Sequence, residues 1–304
     1  MRAFIPDGHG SVLLAEVADP EPTAQEVVVA VEAYSVNRGE TFQLEEPEPG
    51  WRPGKDVAGI VVEQAADGTG PAVGQRVVAH PAHGGWAERV TVPVDGLSTV
   101  PDSVPAAIAA ALPLAGLTAL RLTRIIGSLA GRRVLLTGAS GGVGHYLVEL
   151  AAAQGAVITA VARTNDRGTR LLELGASDVV SEVDKTEGRY DIVLESVGGA
   201  TFTHAWRRLT AHGLFMWMGQ ASRQPVVIDF HDWTAGASAT LRKFNYADSE
   251  VSDREDLATL VRLVTSGHLH PEIGQVRPWH DTPEVLRALV DRQVRGNAVL
   301  RLGS

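Results

Sequence analysis

A glycine-rich turn near the middle of the chain limits the folds that this sequence can adopt more than any other feature. Residues 134–144 read VLLTGASGGVG, an apolar run that gives way to small residues. Beyond the turn, apolar side chains recur on one face of a predicted helix over 143–154. Small residues let the backbone approach an anion, and the start of a helix offers it unpaired N–H groups. A strand, a glycine turn and a helix in this order predict a β-α-β unit within a parallel sheet.

The first hundred residues have a different pattern, which is that of short β-strands. Valine-rich runs at 27–31, 57–62 and 76–79 are bounded by glycine, proline or charged residues. Such runs predict the strands of a twisted, barrel-like sheet. From 105 onward the sequence becomes alanine-rich and then alternates strands with helices. Helices are expected at 167–174, 201–209 and 255–265.

This order of elements predicts two domains, of which one is inserted into the other. Residues 109–246 carry the alternating pattern and are expected to form an α/β domain, a doubly wound parallel sheet with helices on both faces. Residues 1–108 and 247–304 are expected to pack together as a β-rich domain. A chain of 304 residues is long enough for two such domains.

Composition excludes several kinds of chemistry. The chain has no cysteine, so disulfides, cysteine-held metals and thiol nucleophiles are ruled out. Its 27 basic and 36 acidic residues give a net charge of −9 without a basic block, which argues against nucleic-acid binding. The longest apolar segment, 106–120, is interrupted by Pro113 and Gly116 and is too short to span a membrane. We therefore expect a cytoplasmic protein that binds neither nucleic acid nor membrane.

The glycine turn admits three interpretations. Residues 138–142 match the G-x-S-x-G elbow of serine hydrolases, with Ser140 as the nucleophile. Residues 137–144 also fit the T-G-x-x-x-G-x-G pattern of short-chain dehydrogenases, but none of the four tyrosines is followed four residues later by the lysine which that family needs. The second interpretation therefore fails, and the first is weakened because the glycines continue to Gly144.

The third interpretation is a dinucleotide-binding loop, in which residues 139–144 read ASGGVG. Together with other segments in matching order, this loop resembles the medium-chain dehydrogenases/reductases, in their zinc-independent quinone oxidoreductase branch. The segments are SVNRGE (35–40), PGKDVAG (53–59), VGQRV (73–77), GGWAERVTVP (84–93), LPLAGLTAL (112–120), ELGASDVV (173–180), YDIVLESVGG (190–199), LFMWMG (214–219), TSGHLHPEIG (265–274) and RGNAVLRL (295–302). The resemblance implies a Rossmann domain inserted into a GroES-like partial barrel. It also implies a homodimer paired through the last strand of the Rossmann sheet, near 239–244.

The end of the second strand of this domain predicts the cofactor preference. An NAD-binding domain usually has Asp or Glu there to hold the ribose hydroxyls. Here the strand over 157–162 is followed by Arg163, Thr164 and Asn165, with Arg167 beyond. A guanidinium binds a phosphate through two parallel hydrogen bonds, so the sequence favours NADPH. The alternative is an arginine that only faces solvent.

The resemblance also implies which residues contact the cofactor. Thr118 belongs to the helix that the family places on the nicotinamide side, and Phe244 and Asn245 belong to the loop that covers nicotinamide. Asn297 stands where the family commonly has lysine, so a charged contact to a cofactor phosphate is lost. The full set of expected contacts is Asn37, Thr118, Ser140, Gly141, Gly142, Val143, Arg163, Thr164, Arg167, Val197, Gly198, Gly219, Gln220, Phe244, Asn245 and Asn297.

The β-rich domain is expected to supply the catalytic residues. Zinc-using members of the superfamily hold their metal at positions that are Asn37 and Lys55 in this chain, so no metal is expected. Asn37 and Lys55, with Tyr34, are expected to donate hydrogen bonds to a substrate oxygen. Other roles remain open, namely a helix cap for Asn37 and a salt bridge to Asp56 or Glu40 for Lys55.

These features predict an NADPH-dependent oxidoreductase that transfers hydride to a small quinone or α,β-unsaturated carbonyl compound. Such a reduction needs orientation and one or two donors near the oxygen. Two alternatives remain, an enoyl reductase that acts on an acyl thioester or biosynthetic intermediate, and a sensor that binds NADPH without turnover. Aromatic side chains could line the pocket or belong to the core, and they are Tyr34, Phe42, Trp51, Trp217, Trp233 and Phe244.

Overall fold

The protein divides into two compact units in a computed structural model that describes residues 1–231 and 238–303. The first unit combines residues 1–117 with the chain from 250 on, and the second unit spans residues 118–249. The boundaries expected from the sequence, 108/109 and 246/247, lie nine and three residues earlier. Among the described helices, none is long and apolar enough to cross a membrane.

Strands dominate the first unit, whereas strands and helices alternate in the second. The strands in chain order are β1 (Arg2–Pro6), β2 (Val12–Glu16), β3 (Glu26–Val36), β4 (Asp56–Glu63), β5 (Arg76–Ala79), β6 (Arg89–Pro93), β7 (Leu97–Thr99), β8 (Arg133–Leu136), β9 (Val157–Val161), β10 (Asp178–Val180), β11 (Tyr190–Glu195), β12 (Leu209–Trp217), β13 (Thr240–Lys243), β14 (Ile273–Pro278) and β15 (Asn297–Arg301). The helices are α1 (Arg38–Gln43), α2 (Ala106–Ala110), α3 (Pro113–Ile126), α4 (Gly142–Ala153), α5 (Asn165–Glu173), α6 (Gly199–Trp206), α7 (Asp253–Thr265) and α8 (Thr282–Val290).

Strand β3 organises the first unit, because it pairs with three others. It runs antiparallel to β15, β4 and β6, within a sheet ordered β14-β15-β3-β4-β5-β7. Its alternating valines enter a core that includes Val27, Val29, Tyr34 and Trp86, all without exposed surface. A β1–β2 hairpin forms a separate small sheet. The unit is the β-rich partial barrel that the sequence predicts.

The second unit is built on a parallel sheet ordered β10-β9-β8-β11-β12-β13. All of its strand pairings are parallel. The chain moves outward from β8 through β9 to β10, then returns to the other side of β8 for β11. This order confirms the predicted Rossmann fold. In such sheets, ligands bind outside the carboxyl ends of the strands at the point where the direction of winding reverses, here between β8 and β11.

The helices expected over 143–154, 167–174 and 201–209 each begin one or two residues earlier and end one to three residues earlier in the structure. Helix α6 ends at Trp206, whereas the helix is expected over 201–209, and Leu209 instead begins β12. Leu209 is fully buried and pairs with Tyr190 of β11, so sheet pairing overrides its helical preference. Strand β13 is the outer strand of the sheet, at the position from which the dimer contact is expected. Trp233 lies outside the described residues.

The turn after β8 requires glycine at two positions. Gly138 has a φ of +62°, and a Cβ there would lie 2.4 Å from Ser196 Oγ. Gly144, in the first turn of α4, packs so closely that a Cβ would lie 2.3 Å from the carbonyl oxygen of Ala139. At Gly141, by contrast, a Cβ would meet only the carbonyl oxygen of Gly138, at 3.5 Å. Gly144 therefore sets the distance between α4 and the turn, while Gly141 leaves space beside the helix start.

We expect Gly144→Ala to lower the free energy of unfolding by about 1–3 kcal/mol, because the added methyl group overpacks the contact with Ala139. The matched variant Gly141→Ala should change the same quantity by less than about 0.5 kcal/mol, since its methyl group makes only an ordinary van der Waals contact with Gly138. Urea unfolding of the two variants and the parent protein measures the difference. Equal losses of unfolding free energy in both variants would show that the close packing at Gly144 does not contribute more to stability than the contact at Gly141.

Candidate active site

The glycine turn and the start of α4 form an open site at the carboxyl end of β8. Gly141 is the N-cap of α4 and provides no side-chain hydrogen bond to the first helical turn. Ser140, Gly142 and Val143 are only half-buried. An uncapped helix start favours an anion, because its N–H groups and the positive end of the helix dipole point outward. These residues therefore fit the pyrophosphate of a dinucleotide.

The surroundings of Ser140 do not support the serine-hydrolase interpretation. Within the described ranges, its hydroxyl makes no hydrogen bond. A serine nucleophile needs a neighbouring base, usually histidine, to accept its proton. The turn is therefore better explained as a binding loop than as a nucleophile elbow.

Arg163 and Thr164 lie two and three residues after the end of β9 and are exposed. Thr164 is the N-cap of α5 but makes no side-chain cap, and its carbonyl oxygen accepts the N–H of Arg167 at 3.1 Å. The guanidinium of Arg163 forms no ion pair with any residue that the structure describes. A free cation beside a second uncapped helix start fits a phosphate group at the end of β9.

A buried carboxylate, Glu195, holds the loop after β11. It accepts the N–H groups of Val197 at 2.7 Å and Gly198 at 3.0 Å, and the hydroxyl of Thr137 lies 3.2 Å from it. That hydroxyl accepts the N–H of Ser196 at 3.0 Å. Burial raises the pKa of Glu195, and these hydrogen bonds partly offset the effect. Sequence reasoning missed Glu195, although an acidic residue at the end of an apolar strand is a signal that could have found it.

Four other expected cofactor contacts lie at the same edge of the sheet. Gly219 and Gln220 follow β12, while Phe244 and Asn245 follow β13. Parallel strands end at one edge, so these residues share it with the turn after β8 and the loop at Val197–Gly198. Phe244 is buried and Asn245 is exposed. Thr118 is buried within α3.

In the first unit, Asn37 is anchored through both its backbone and its side chain. It is the N-cap of α1, in agreement with its alternative role as a helix cap. Its backbone N–H donates to Glu40 Oε2 at 2.9 Å, and its side-chain Nδ2 donates to Asp56 Oδ2 at 2.8 Å. Because an amide nitrogen carries two hydrogens, one N–H of Asn37 is left for a ligand.

Asp56, at the start of β4, is the centre of this polar cluster. Its Oδ2 accepts from Ser35 Oγ at 2.7 Å as well as from Asn37. Its Oδ1 accepts the N–H of Leu114 at 3.0 Å and lies 3.2 Å from Nδ1 of His80. Sequence reasoning considered Asp56 only as a salt-bridge partner. Among the described residues, no three histidine or carboxylate side chains group as metal ligands.

Glu40 fixes the loop that carries Lys55. Its Oε1 accepts the backbone N–H groups of Gly54 at 2.8 Å and Lys55 at 3.1 Å. Burial, and then the charge of Asp56, raise the pKa of Glu40 to about 7, while the N–H donors and the charge of Lys55 act in the opposite direction. The ammonium of Lys55 is half-buried and forms no ion pair with the residues described. Its hydrogen-bond donors are therefore available.

Tyr34 and Asn297 have their polar groups engaged within the first unit. Tyr34 has no exposed surface, stacks on Trp86 and places its hydroxyl 2.6 Å from Thr282 Oγ1. Burial raises the pKa of this phenol. The side-chain amide of Asn297 donates to the carbonyl oxygen of Glu272 at 3.1 Å. Tyr34 thus packs in the core, and Asn297 helps to join β15 to the segment before β14.

Sequence and structure comparisons identify related proteins. Residues 23–102 match the family model "Alcohol dehydrogenase GroES-like domain", and residues 170–300 match "Zinc-binding dehydrogenase". A chloroplastic quinone-oxidoreductase homolog of Spinacia oleracea is 34% identical over 231 residues, 66% of this chain and 69% of that protein. A quinone oxidoreductase of Sus scrofa is 27% identical over 308 residues, 95% of this chain and 93% of that protein. A mycobacterial protein complexed with NADPH superposes with a TM-score of 0.89 at 25% identity, covering 99% of both chains.

The two folds and these matches define an oxidoreductase with a GroES-like unit and a Rossmann unit. The chain belongs to the medium-chain dehydrogenase/reductase superfamily, in its zinc-independent quinone oxidoreductase-like branch. The predicted family and the predicted GroES-like character of the first unit are thereby confirmed.

The raised pKa of Glu40 predicts a specific pH dependence of stability. Between its ordinary value of 4.5 and about 7, the folded protein holds a proton that the unfolded chain has released. The free energy of unfolding should therefore fall as pH rises through this window, by roughly 3 kcal/mol from this group. The side chain of Glu40→Gln does not titrate in this window. The difference in the free energy of unfolding between the parent protein and this variant should therefore shrink as pH rises toward 7. Urea unfolding at several pH values measures it.

The control is Glu63→Gln, which neutralises an exposed carboxylate of the same unit. Its stability difference from the parent protein should change little over the same window. If the Glu40→Gln difference also stays constant with pH, Glu40 does not titrate in this range.

Proposed function

We propose that this protein is an NADPH-dependent reductase that transfers hydride to a small quinone or another α,β-unsaturated carbonyl compound. The observation that carries the proposal is the uncapped start of α4, at the switch point of the Rossmann sheet, together with the cation Arg163 at the end of β9. Its family membership supports an oxidoreductase. The mycobacterial relative complexed with NADPH supports the choice of cofactor.

Arg163 is the residue that we expect to distinguish the two nicotinamide cofactors. Arg163→Asp should weaken NADPH binding by roughly 100-fold, because it replaces a phosphate-binding cation with a carboxylate. NADH has no 2′-phosphate, so its affinity should change much less. Titration of the purified protein with each cofactor measures both constants. Arg170→Asp makes the same charge change in the last turn of α5 and should affect neither cofactor strongly.

An equal loss of affinity for NADPH and NADH in Arg163→Asp would contradict the assigned preference. Equal effects of Arg163→Asp and Arg170→Asp would mean that only the overall charge of this unit matters.

The first unit offers two donors for the substrate oxygen. When bound, NADPH supplies a hydride to the β-carbon of an enone or to a quinone carbon, and negative charge then develops on the oxygen. The unpaired ammonium of Lys55 and the remaining amide N–H of Asn37 can stabilise that charge. Asp56 fixes the side chain of Asn37, and Glu40 fixes the backbone at Lys55, so both donors are preorganised. Glu40 and Asp56 act as positioning residues.

Turnover with matched acceptors tests the function directly. NADPH oxidation should be rapid with a quinone and an enone and slow with the saturated ketone of the same carbon skeleton. Lys55→Gln should lower kcat at least tenfold, because it removes a donor to the charge that develops in the transition state. The dissociation constant of NADPH should stay within about twofold. Arg89→Gln, which removes an exposed cation of the same unit, serves as the control.

Two other outcomes would replace this proposal. Turnover confined to enoyl thioesters would favour the enoyl-reductase alternative. Tight NADPH binding without turnover on any acceptor would favour a sensor.

A further inference from the structure

A cluster of arginines lies at the opposite edge of the Rossmann sheet, where β11 and β12 begin. A cavity of about 580 Å³ opens there, and its lining residues are Asp184, Gly188, Arg189, His204, Arg207 and Arg208. This volume is within the range of small-molecule sites. Three guanidinium groups around one cavity are unexpected in a chain with a net charge of −9. We call this cavity the arginine groove.

Backbone carbonyl groups hold two of these arginines in place. Arg189 Nη1 donates to the carbonyl oxygens of Leu209 at 2.9 Å and Arg207 at 3.3 Å. Arg208 Nη2 donates to the carbonyl oxygen of Asp184 at 3.1 Å. Carbonyl oxygens are neutral, so these bonds fix the guanidinium groups without cancelling their charge. Each guanidinium has five N–H donors, and donors beyond those used here remain for a ligand.

Arg133 adds a fourth cation beside the groove. Its Nη2 donates to the carbonyl oxygen of Glu187 at 3.1 Å, and its guanidinium lies over the ring of Tyr190, 5.3 Å from the centroid. Gly188 has a φ of +79°, and a Cβ there would lie 3.0 Å from Arg133 Nη2. Arg133 is thus in contact with the residue that forms one wall of the groove.

Among the described residues, the lining of the groove holds one carboxylate and three arginines. That carboxylate, Asp184, lies 2.9 Å from His204 Nδ1. Asp191 accepts the backbone N–H of Arg133 at 2.9 Å and lies 3.7 Å from Arg132 Nε. Glu187 is exposed, and its carbonyl oxygen is the group that meets Arg133. The groove therefore keeps a net positive charge.

We propose that the arginine groove binds a polyphosphate anion, either inorganic tripolyphosphate or the triphosphate of a nucleotide. Planar guanidinium groups bind phosphate oxygens through paired N–H donors, and several fixed guanidiniums match several linked phosphates better than a single one. Preorganised donors also lose less conformational entropy on binding.

This site is separate from the expected cofactor site. Arg189 precedes the amino end of β11, and Glu195 with the Val197–Gly198 loop lies at its carboxyl end. A strand of six residues spans about 17 Å, so the two edges are that far apart. Binding in the groove should therefore not compete with NADPH.

Calorimetric titration of the whole protein, saturated with NADPH so that the cofactor site is filled, tests the proposal. Tripolyphosphate should bind with a stoichiometry of one per chain and more tightly than orthophosphate at equal ionic strength. Arg189→Gln and Arg208→Gln should each weaken binding roughly tenfold, through the loss of charge-assisted hydrogen bonds. Arg189→Lys keeps the charge but loses the planar fork, and it should weaken binding less than Arg189→Gln. NADPH affinity should be unchanged in all three variants.

The control is Arg124→Gln, which removes a cation elsewhere in the same unit and should leave binding intact. A parallel titration with ATP distinguishes the two sources. Tighter binding of ATP than of tripolyphosphate identifies a nucleotide as the ligand, and the reverse order identifies inorganic polyphosphate as the ligand. The proposal is overturned if tripolyphosphate does not bind, if orthophosphate binds equally well, or if Arg124→Gln weakens binding as much as Arg189→Gln and Arg208→Gln.

Discussion

Burial of carboxylates beside backbone N–H groups is the interaction that fixes the candidate cofactor site of the second unit and, separately, the candidate donors of the first unit. Burying an ionised carboxylate is costly unless hydrogen-bond donors surround it, and an unpaired buried N–H is costly as well. Glu195 in the second unit and the pair Glu40 and Asp56 in the first meet both requirements together. Glu195 and Glu40 each accept two backbone N–H groups of a loop, and Asp56 accepts one at the start of α3. The loops therefore take one conformation, which gives nearby functional groups fixed positions.

Hydrogen-bond partners also distinguish the polar side chains that hold the structure together from the donors that are available to a ligand. Asp56 has its two oxygens engaged, and Tyr34 is engaged with Thr282. In contrast, the start of α4 has no side-chain cap, and the charges of Arg163 and Lys55 have no ion-pair partner among the described residues. Uncompensated donors of this kind are where anionic groups or developing negative charge are bound most favourably. The proposed roles of these residues follow from this contrast rather than from residue type alone.

Local sequence patterns were sufficient to predict the fold of the second unit, but not the positions and partners of all its residues. The glycine turn, the apolar strands and the helices between them predict a parallel doubly wound sheet, and the strand order confirms it. Leu209 differs from its expected place because its pairing with Tyr190 is a contact between strands, which no local propensity reports. Glu195 was missed for a similar reason, since its partner Thr137 is 58 residues away. The cation cluster around Arg189 likewise depends on separate segments that the sheet brings together.

The sequence by itself determined the fold class, the family and the position of the glycine turn. These depend on periodicity and on steric rules for neighbouring residues, as at Gly138, where a side chain could not fit. Only the tertiary structure decided what individual polar residues do. Tyr34 and Asn37 are three residues apart, yet the first meets Thr282, 248 residues away, while the second meets Asp56. Hydrogen bonds between distant segments form only when the sheet sets their register. The burial and the partners of each side chain, rather than its residue type, therefore distinguish a core tyrosine from an available donor.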